Sequence, residues 1–203
     1  MHHLLFSLLC LASLSIITSC GGNSQAEEPP SEVTTGPFTP AAEALQAGEG
    51  VAKVGSILMQ AFPAVSDPNT GIIDVVAAKQ FAQVAEQLVD KFPGDTLAAL
   101  PFYRSAEVVR AMNDPKGAAA IYERVTREFP AYSKAGEALF MLAFTYDEDL
   151  NNLEMAKATY EKFIEMYPNN GFADDAEMLL QNLGKSDEEI LKELEEKAKA
   201  LED

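Results

Sequence analysis

Three times this chain closes an amphipathic stretch with an aromatic residue and a proline: Lys91-Phe92-Pro93, Glu128-Phe129-Pro130 and Met166-Tyr167-Pro168. Proline has no N–H to donate and its ring clashes with the preceding turn, so each site is a helix stop. The stops lie 37 and 38 residues apart, and a fixed period in that range describes an array of helical hairpins. Counted from each proline, small residues recur at the fifth position (Ala98, Ala135, Ala173). Pro101, Ala138 and Ala176 stand at the eighth, and Ala106, Ala143 and Gln181 at the thirteenth. Before the later prolines, Ala118 and Ala156 lie twelve residues back, and Tyr122 and Tyr160 eight back. Small residues let two helices approach closely, so each unit is a hairpin that must stack on another. Pro101 and Ser105 depart from this pattern in the first unit. An interior proline there predicts a helix that starts late or kinks.

Around this array the chain divides into five parts. Residues 1–19 contain an apolar run, Leu4 to Ile17, about as long as a signal-peptide core and too short to span a bilayer as a stable helix. Residues 20–40 are rich in Gly, Pro, Ser, Thr and Glu with little to bury, the composition of a disordered tether. Residues 41–92 are expected to form an N-terminal helical hairpin. Its first helix runs from a Thr39-Pro40 start to Phe62, weakened by Gly48, Gly50 and Gly55, and its second spans Ile72 to Phe92 with Phe81, Val84, Ala85 and Leu88 on one face. Residues 93–185 carry the repeats. Residues 186–203 open with the capping box Ser186-Asp187-Glu188-Glu189 and are expected to cap the last repeat with the stripe Ile190, Leu194, Ala198 and Leu201.

The formal charge of −17 arises wholly after residue 20, from 32 acidic against 15 basic residues. Binding a phosphate backbone needs clustered cations, so nucleic acid is excluded as a partner. Both histidines, His2 and His3, lie in the signal-like segment, as does Cys10. The remainder offers no Ser/His or Cys/His nucleophile and few zinc ligands, and no pair of carboxylates is marked out for acid/base work. No catalytic residue, metal, cofactor or small-molecule substrate is therefore expected. Asp147-Glu148-Asp149-Leu150-Asn151-Asn152 has the carboxylates of a calcium loop, but Asn152 and Ala158 stand where an EF-hand needs Gly and Glu. It is expected to be a solvated turn. Gly48-Glu49-Gly50 lacks the strand and the GK[ST] order of a phosphate loop.

The stretch AYSKAGEALFMLAFTYDEDLNNLEMAKATYEKFIEMYPNNGFADDAEMLLQNLG resembles the tetratricopeptide repeat. The likeness is to the slightly longer form seen in envelope lipoproteins of the BamD type and in Tol-Pal-associated cell-division coordinators, and it extends over about Ile72 to Gly184. It implies an all-α fold, a right-handed superhelix of helical hairpins (an α-solenoid). It also implies a non-enzymatic adaptor that binds a protein or peptide in the groove lined by first helices. Aligned groove positions are Leu100, Tyr103, Glu107 and Arg110, then Glu137, Phe140, Phe144 and Asp147, then Asp175, Met178, Asn182 and Lys185. Aromatics flanked by acids suit an extended or helical segment with apolar anchors and some Lys or Arg. Alternatively, Phe140 and Phe144 are packed under the N-terminal hairpin or the last helix, and the protein is structural or self-associating with its groove self-filled. Outer-membrane protein assembly is a further reading.

Ile17-Thr18-Ser19-Cys20-Gly21 resembles a bacterial lipobox, which implies acylation at Cys20 and a membrane anchor beyond what one chain supplies. Gly21 lacks the aspartate that retains enteric lipoproteins at the inner membrane, so the outer membrane facing the periplasm is the expected location, with the cell surface as the alternative. Asp95-Thr96-Leu97 resembles a short O-glycosylation acceptor of envelope proteins, with Thr96 equally suited to be a helix N-cap.

Overall fold

A computed structural model describes residues 35–202; the signal-like segment, Cys20 and most of the tether lie outside them. Among the described residues there are nine α-helices and no strand, the one β-bridge joining Ser66 to Ile73. The helices are α1 (Thr39–Gln46), α2 (Val51–Ala61), α3 (Val75–Lys91), α4 (Ala99–Ala111), α5 (Pro115–Glu128), α6 (Ala135–Phe144), α7 (Leu153–Met166), α8 (Ala173–Asn182) and α9 (Asp187–Glu202). From α2 to α8 each helix packs on the next in chain order, as a stacked array requires.

The three stops are built alike. Phe92, Phe129 and Tyr167 have φ/ψ of −127/63, −128/53 and −132/51, away from the helical region that a following proline disfavours. Each still donates its N–H to the carbonyl four residues back, at 3.0, 3.0 and 2.8 Å. The small residues behind the stacking are buried as expected: Ala98, Ala106, Ala118, Ala135, Ala138, Ala143, Ala156, Ala173 and Ala176, with Tyr122 and Tyr160 beside them. Pro101 has the predicted effect. The 3₁₀ turn Thr96–Ala98 takes the place of a first α-turn, α4 begins one position later than α6 and α8 relative to its stop, and the proline falls in the first turn where a missing N–H costs no bond. Ser105 is buried and its hydroxyl donates to the Phe102 carbonyl at 2.7 Å.

Arg124 fastens α5 to the helices before it. Its guanidinium meets Glu86 at 3.2 Å, Asp90 at 2.8 Å and Glu128 at 3.1 Å, and lies 4.8 Å from the Phe102 ring centre.

The N-terminal part is three helices and not a two-helix hairpin. The Pro40–Phe62 helix is interrupted at Ala47–Gly50, where Gly48 takes φ 83, a left-handed value that ends α1 cheaply only with glycine. Thr39 is the first helical residue and not the cap, its hydroxyl accepting from the Gly36 N–H at 2.8 Å. The helix expected from Ile72 starts at Val75, because the Asp74 carboxylate accepts from the N–H groups of Val76 and Ala77 at 3.0 and 3.1 Å. Phe81 locks this trio together, its ring 5.3 Å from Phe38 and 4.9 Å from Phe62.

At the other end α9 departs from the expected cap. The capping box forms, with Ser186 Oγ accepting from Glu189 N at 3.3 Å and Glu189 Oε2 from Ser186 N at 2.8 Å. The helix nonetheless projects away from α8, leaving Leu191 58% and Leu194 57% exposed.

Candidate partner-binding face

The first helices α4 and α6 bring most of the expected groove residues together. Tyr103 is buried in α4; its hydroxyl donates to Glu137 at 3.1 Å, and Lys134, paired with Glu137 at 2.5 Å, stands 5.5 Å over its ring. Glu107 is half-buried and held by Arg104 at 2.7 Å. Arg110 reaches across the repeat boundary to both oxygens of Asp149, at 2.5 and 3.1 Å, with its guanidinium carbon 5.1 Å from the Phe144 ring centre. Phe144 is half-buried beside Phe140 at 6.3 Å. Leu100, Asp175 and Met178 are exposed, and Asn182 and Lys185 half-buried.

Phe140 is a core residue. Only 6% exposed, it stacks on Phe172 at 4.7 Å and 13°, with Phe163 at 5.6 Å and Tyr160 at 6.1 Å. It is thus covered by the next unit, and neither by the N-terminal helices nor by α9. The cover follows a rule that spacing alone conceals. The residue four after one proline lies over the residue ten after the previous one: Lys134 over Tyr103, and Phe172 over Phe140. Met178, the tenth residue of the last unit, has no such neighbour and is 54% exposed.

Between α4, α5 and the end of α6 an open recess of about 430 Å³ is lined by Glu107, Arg110, Ala111, Tyr122, Met141 and Asp149. Tyr122 is buried and its hydroxyl has no hydrogen-bond partner among the described residues. Burial pushes the Tyr122 phenol above its ordinary value, reinforced by Glu107. Tyr103 is raised likewise by burial and then by Glu107 and Glu137. Two acids, Glu107 and Asp149, line the recess, held by Arg104 and Arg110 respectively. Removing the Tyr122 hydroxyl breaks no bond among the described residues, so Tyr122→Phe is expected to leave stability unchanged or raise it by up to about 1 kcal/mol. Tyr103→Phe loses a bond to a carboxylate and is expected to cost about 1.5–3 kcal/mol. Urea midpoints of the two variants check this contrast.

The Asp147 segment forms a π-helical turn, Thr145–Asp149, that prolongs α6 by one wide turn. Asn151 (φ 47) then turns the chain and Asn152 caps α7, its side chain accepting from Met155 N at 3.2 Å. Among the described residues no group of acidic side chains is arranged to hold a metal ion. Asp147 is half-buried, its carboxyl pushed up by burial and then by Glu148, with the Tyr160 hydroxyl at 3.5 Å opposing. A carboxylate whose folded pKa is raised costs stability above that pKa, and the cost disappears as pH falls below its unfolded value. Its place at the negative end of the α6 dipole adds to the cost. Asp147→Asn is expected to stabilise the protein by about 0.3–1 kcal/mol at neutral pH and by nothing below the carboxylate range, read from melts at both pH values.

Thr96 is exposed, and Asp95 rather than Thr96 is the cap, its carboxylate accepting from Leu97 N at 3.0 Å. The residues of this face that the aligned groove positions omit are Arg104, Lys134, Tyr122 and Asp149. Two of them, Arg104 with Glu107 and Lys134 with Glu137, were legible as opposite charges three apart on a helix. Asp149 pairs with Arg110 across 39 residues, which no local pattern shows.

A family model described as the tetratricopeptide repeat matches residues 137–170, from early α6 through α7 to just past Pro168. No curated protein and no solved structure matches the chain. The described residues thus form an all-α array of helical hairpins, of which the α6–α7 unit matches that repeat. Such repeats generally mediate protein–protein contact as non-catalytic scaffolds.

Proposed function

We propose that the chain is a non-enzymatic adaptor held to the bacterial cell envelope by a lipid on Cys20, offering the α4–α6 face to a protein segment. The observation that carries the reading is the recess beside Arg110 and Asp149, where acids, a buried hydroxyl and Met141 converge on one open face. A segment with a Lys or Arg beside an apolar anchor fits it. With Phe140 enclosed, apolar anchoring on this face falls to Phe144 and Met141. No described helix is long and apolar enough to cross a membrane, so attachment rests on the lipobox-like Ile17 to Gly21. The outer membrane, facing the periplasm, is the proposed site.

Photo-crosslinking from position 141 in intact cells tests the adaptor role. A reproducible partner adduct is the expected result, and its absence there and from position 144 defeats the reading. The mass of the mature N-terminal peptide tests the anchor separately, since an unmodified N-terminus other than Cys20 excludes it. The same digest tests Thr96 as a glycosylation site, for which its exposure and freedom from capping speak.

A second reading, a structural or self-associating envelope protein, draws on the enclosure of Phe140 by Phe172. It predicts no adduct other than one to another copy of this chain. A role in outer-membrane protein assembly would show as adducts to components of that machinery.

A further inference from the structure

α5 and α7 each fold back on the helix before them, and a fixed pair of positions marks the contact. The tenth residue after the proline meets the eighth residue of the following helix: Tyr103 meets Tyr122 at 5.9 Å, and Phe140 meets Tyr160 at 6.1 Å. In the last unit the same positions are Met178 on α8 and Leu194 on α9. Both are apolar, yet they are 54% and 57% exposed. The fourth residue agrees as well, Ile190 standing where the buried Ala118 and Ala156 stand. α9 therefore has the pattern of a docked second helix without being docked on its own first helix.

The link before it differs. In the two complete units a left-handed asparagine, Asn113 or Asn151, immediately precedes the capping residue, Asp114 or Asn152. Before α9 the left-handed residue is Gly184 (φ 75), Lys185 is interposed before Ser186, and Leu183 is extended at φ −54 and ψ 122. The link is one residue longer than in the complete units, and a Lys185–Glu193 ion pair of 2.8 Å and the capping box hold α9 in its direction. A helix held off its own matching site leaves two apolar faces that a second copy can cover reciprocally.

Charge points the same way. α8 opens with the exposed Asp174 and Asp175, and α9 carries the exposed Lys197 one turn beyond Leu194, none of them in an ion pair among the described residues. Antiparallel packing, the arrangement within the complete units, sets that lysine against those aspartates. We propose that α9 is an exchanged arm that lies antiparallel on α8 of a second copy, Leu194 on Met178 and Lys197 facing Asp174 and Asp175. The reciprocal arm closes a two-fold dimer and leaves neither face open. This stands whether or not the α4–α6 face binds a partner.

Sedimentation of the full chain in mild detergent is the first test. A dimer is expected, with Leu194→Glu raising its dissociation constant about tenfold or more while the melting midpoint of the array is kept. Lys197→Glu should weaken the dimer, and adding Asp174→Lys with Asp175→Lys should restore it. A benzophenone amino acid at position 191, in a mixture of isotopically light and heavy chains, then locates the contact. Light–heavy adducts to α8 support the exchange. Adducts confined within one chain, adducts from α9 to α9, a monomer at all concentrations, or a dimer indifferent to Leu194→Glu would each overturn it.

Discussion

Phe140→Ala is expected to lower the stability of the array by about 3–5 kcal/mol, although groove alignment places this residue on a binding surface. Its ring fills the space between α6, α7 and α8, against Phe163, Tyr160 and Phe172, and little of it reaches solvent. Truncation removes the buried ring and leaves a cavity that the three neighbouring rings cannot fill without leaving their rotamers. Phe144→Ala should cost clearly less, since that ring is half-buried and its chief companion is the guanidinium of Arg110. Urea unfolding of both variants checks the order. Equal losses, or a loss of less than about 1 kcal/mol for Phe140→Ala, would return Phe140 to the binding face.

Phe81→Ala is expected to cost a similar amount, about 3–5 kcal/mol, but at the opposite end. Among the described residues Phe81 is the only ring that touches both Phe38 and Phe62, so its loss uncouples α1 and α2 from α3. In a stacked array each layer contacts mainly its neighbours, and damage at one end propagates weakly to the other. Hydrogen exchange should accordingly speed up across α1 to α3 while α6 and α7 keep their protection. Uniform acceleration through α7 would mean that the array unfolds as one unit.

How much of this was legible in the sequence depends on the range over which a feature is determined. The proline stops, the buried alanines and the delayed start at Pro101 are local, and they could be placed from spacing alone. The break after α1 was half visible: the glycines weakened the expected helix, but only the backbone shows that Gly48 must be left-handed and so ends it. The candidate face was legible as a set of positions and not as environments. Whether the residue at the tenth position is open or covered depends on the fourth residue of the next unit: Tyr103 under Lys134 and Phe140 under Phe172 are buried, and Met178, without such a neighbour among the described residues, is exposed. The Arg110–Asp149 pair lay beyond any helix-face rule for the same reason. The direction of α9 was the least legible, because the stripe on the helix is that of a docked helix and yet Leu191 and Leu194 stand exposed.

The shared backbone angles of Phe92, Phe129 and Tyr167 have a bearing on how such a chain can grow. A junction that takes the same shape wherever it occurs works as a splice site: a second copy of residues 131–168 inserted after Pro168 meets the same corner on entering and on leaving. Duplication of that segment would lengthen the protein by one layer with no new joint to invent, and tandem copying of an already folded layer is a simple route by which the chain could have arisen.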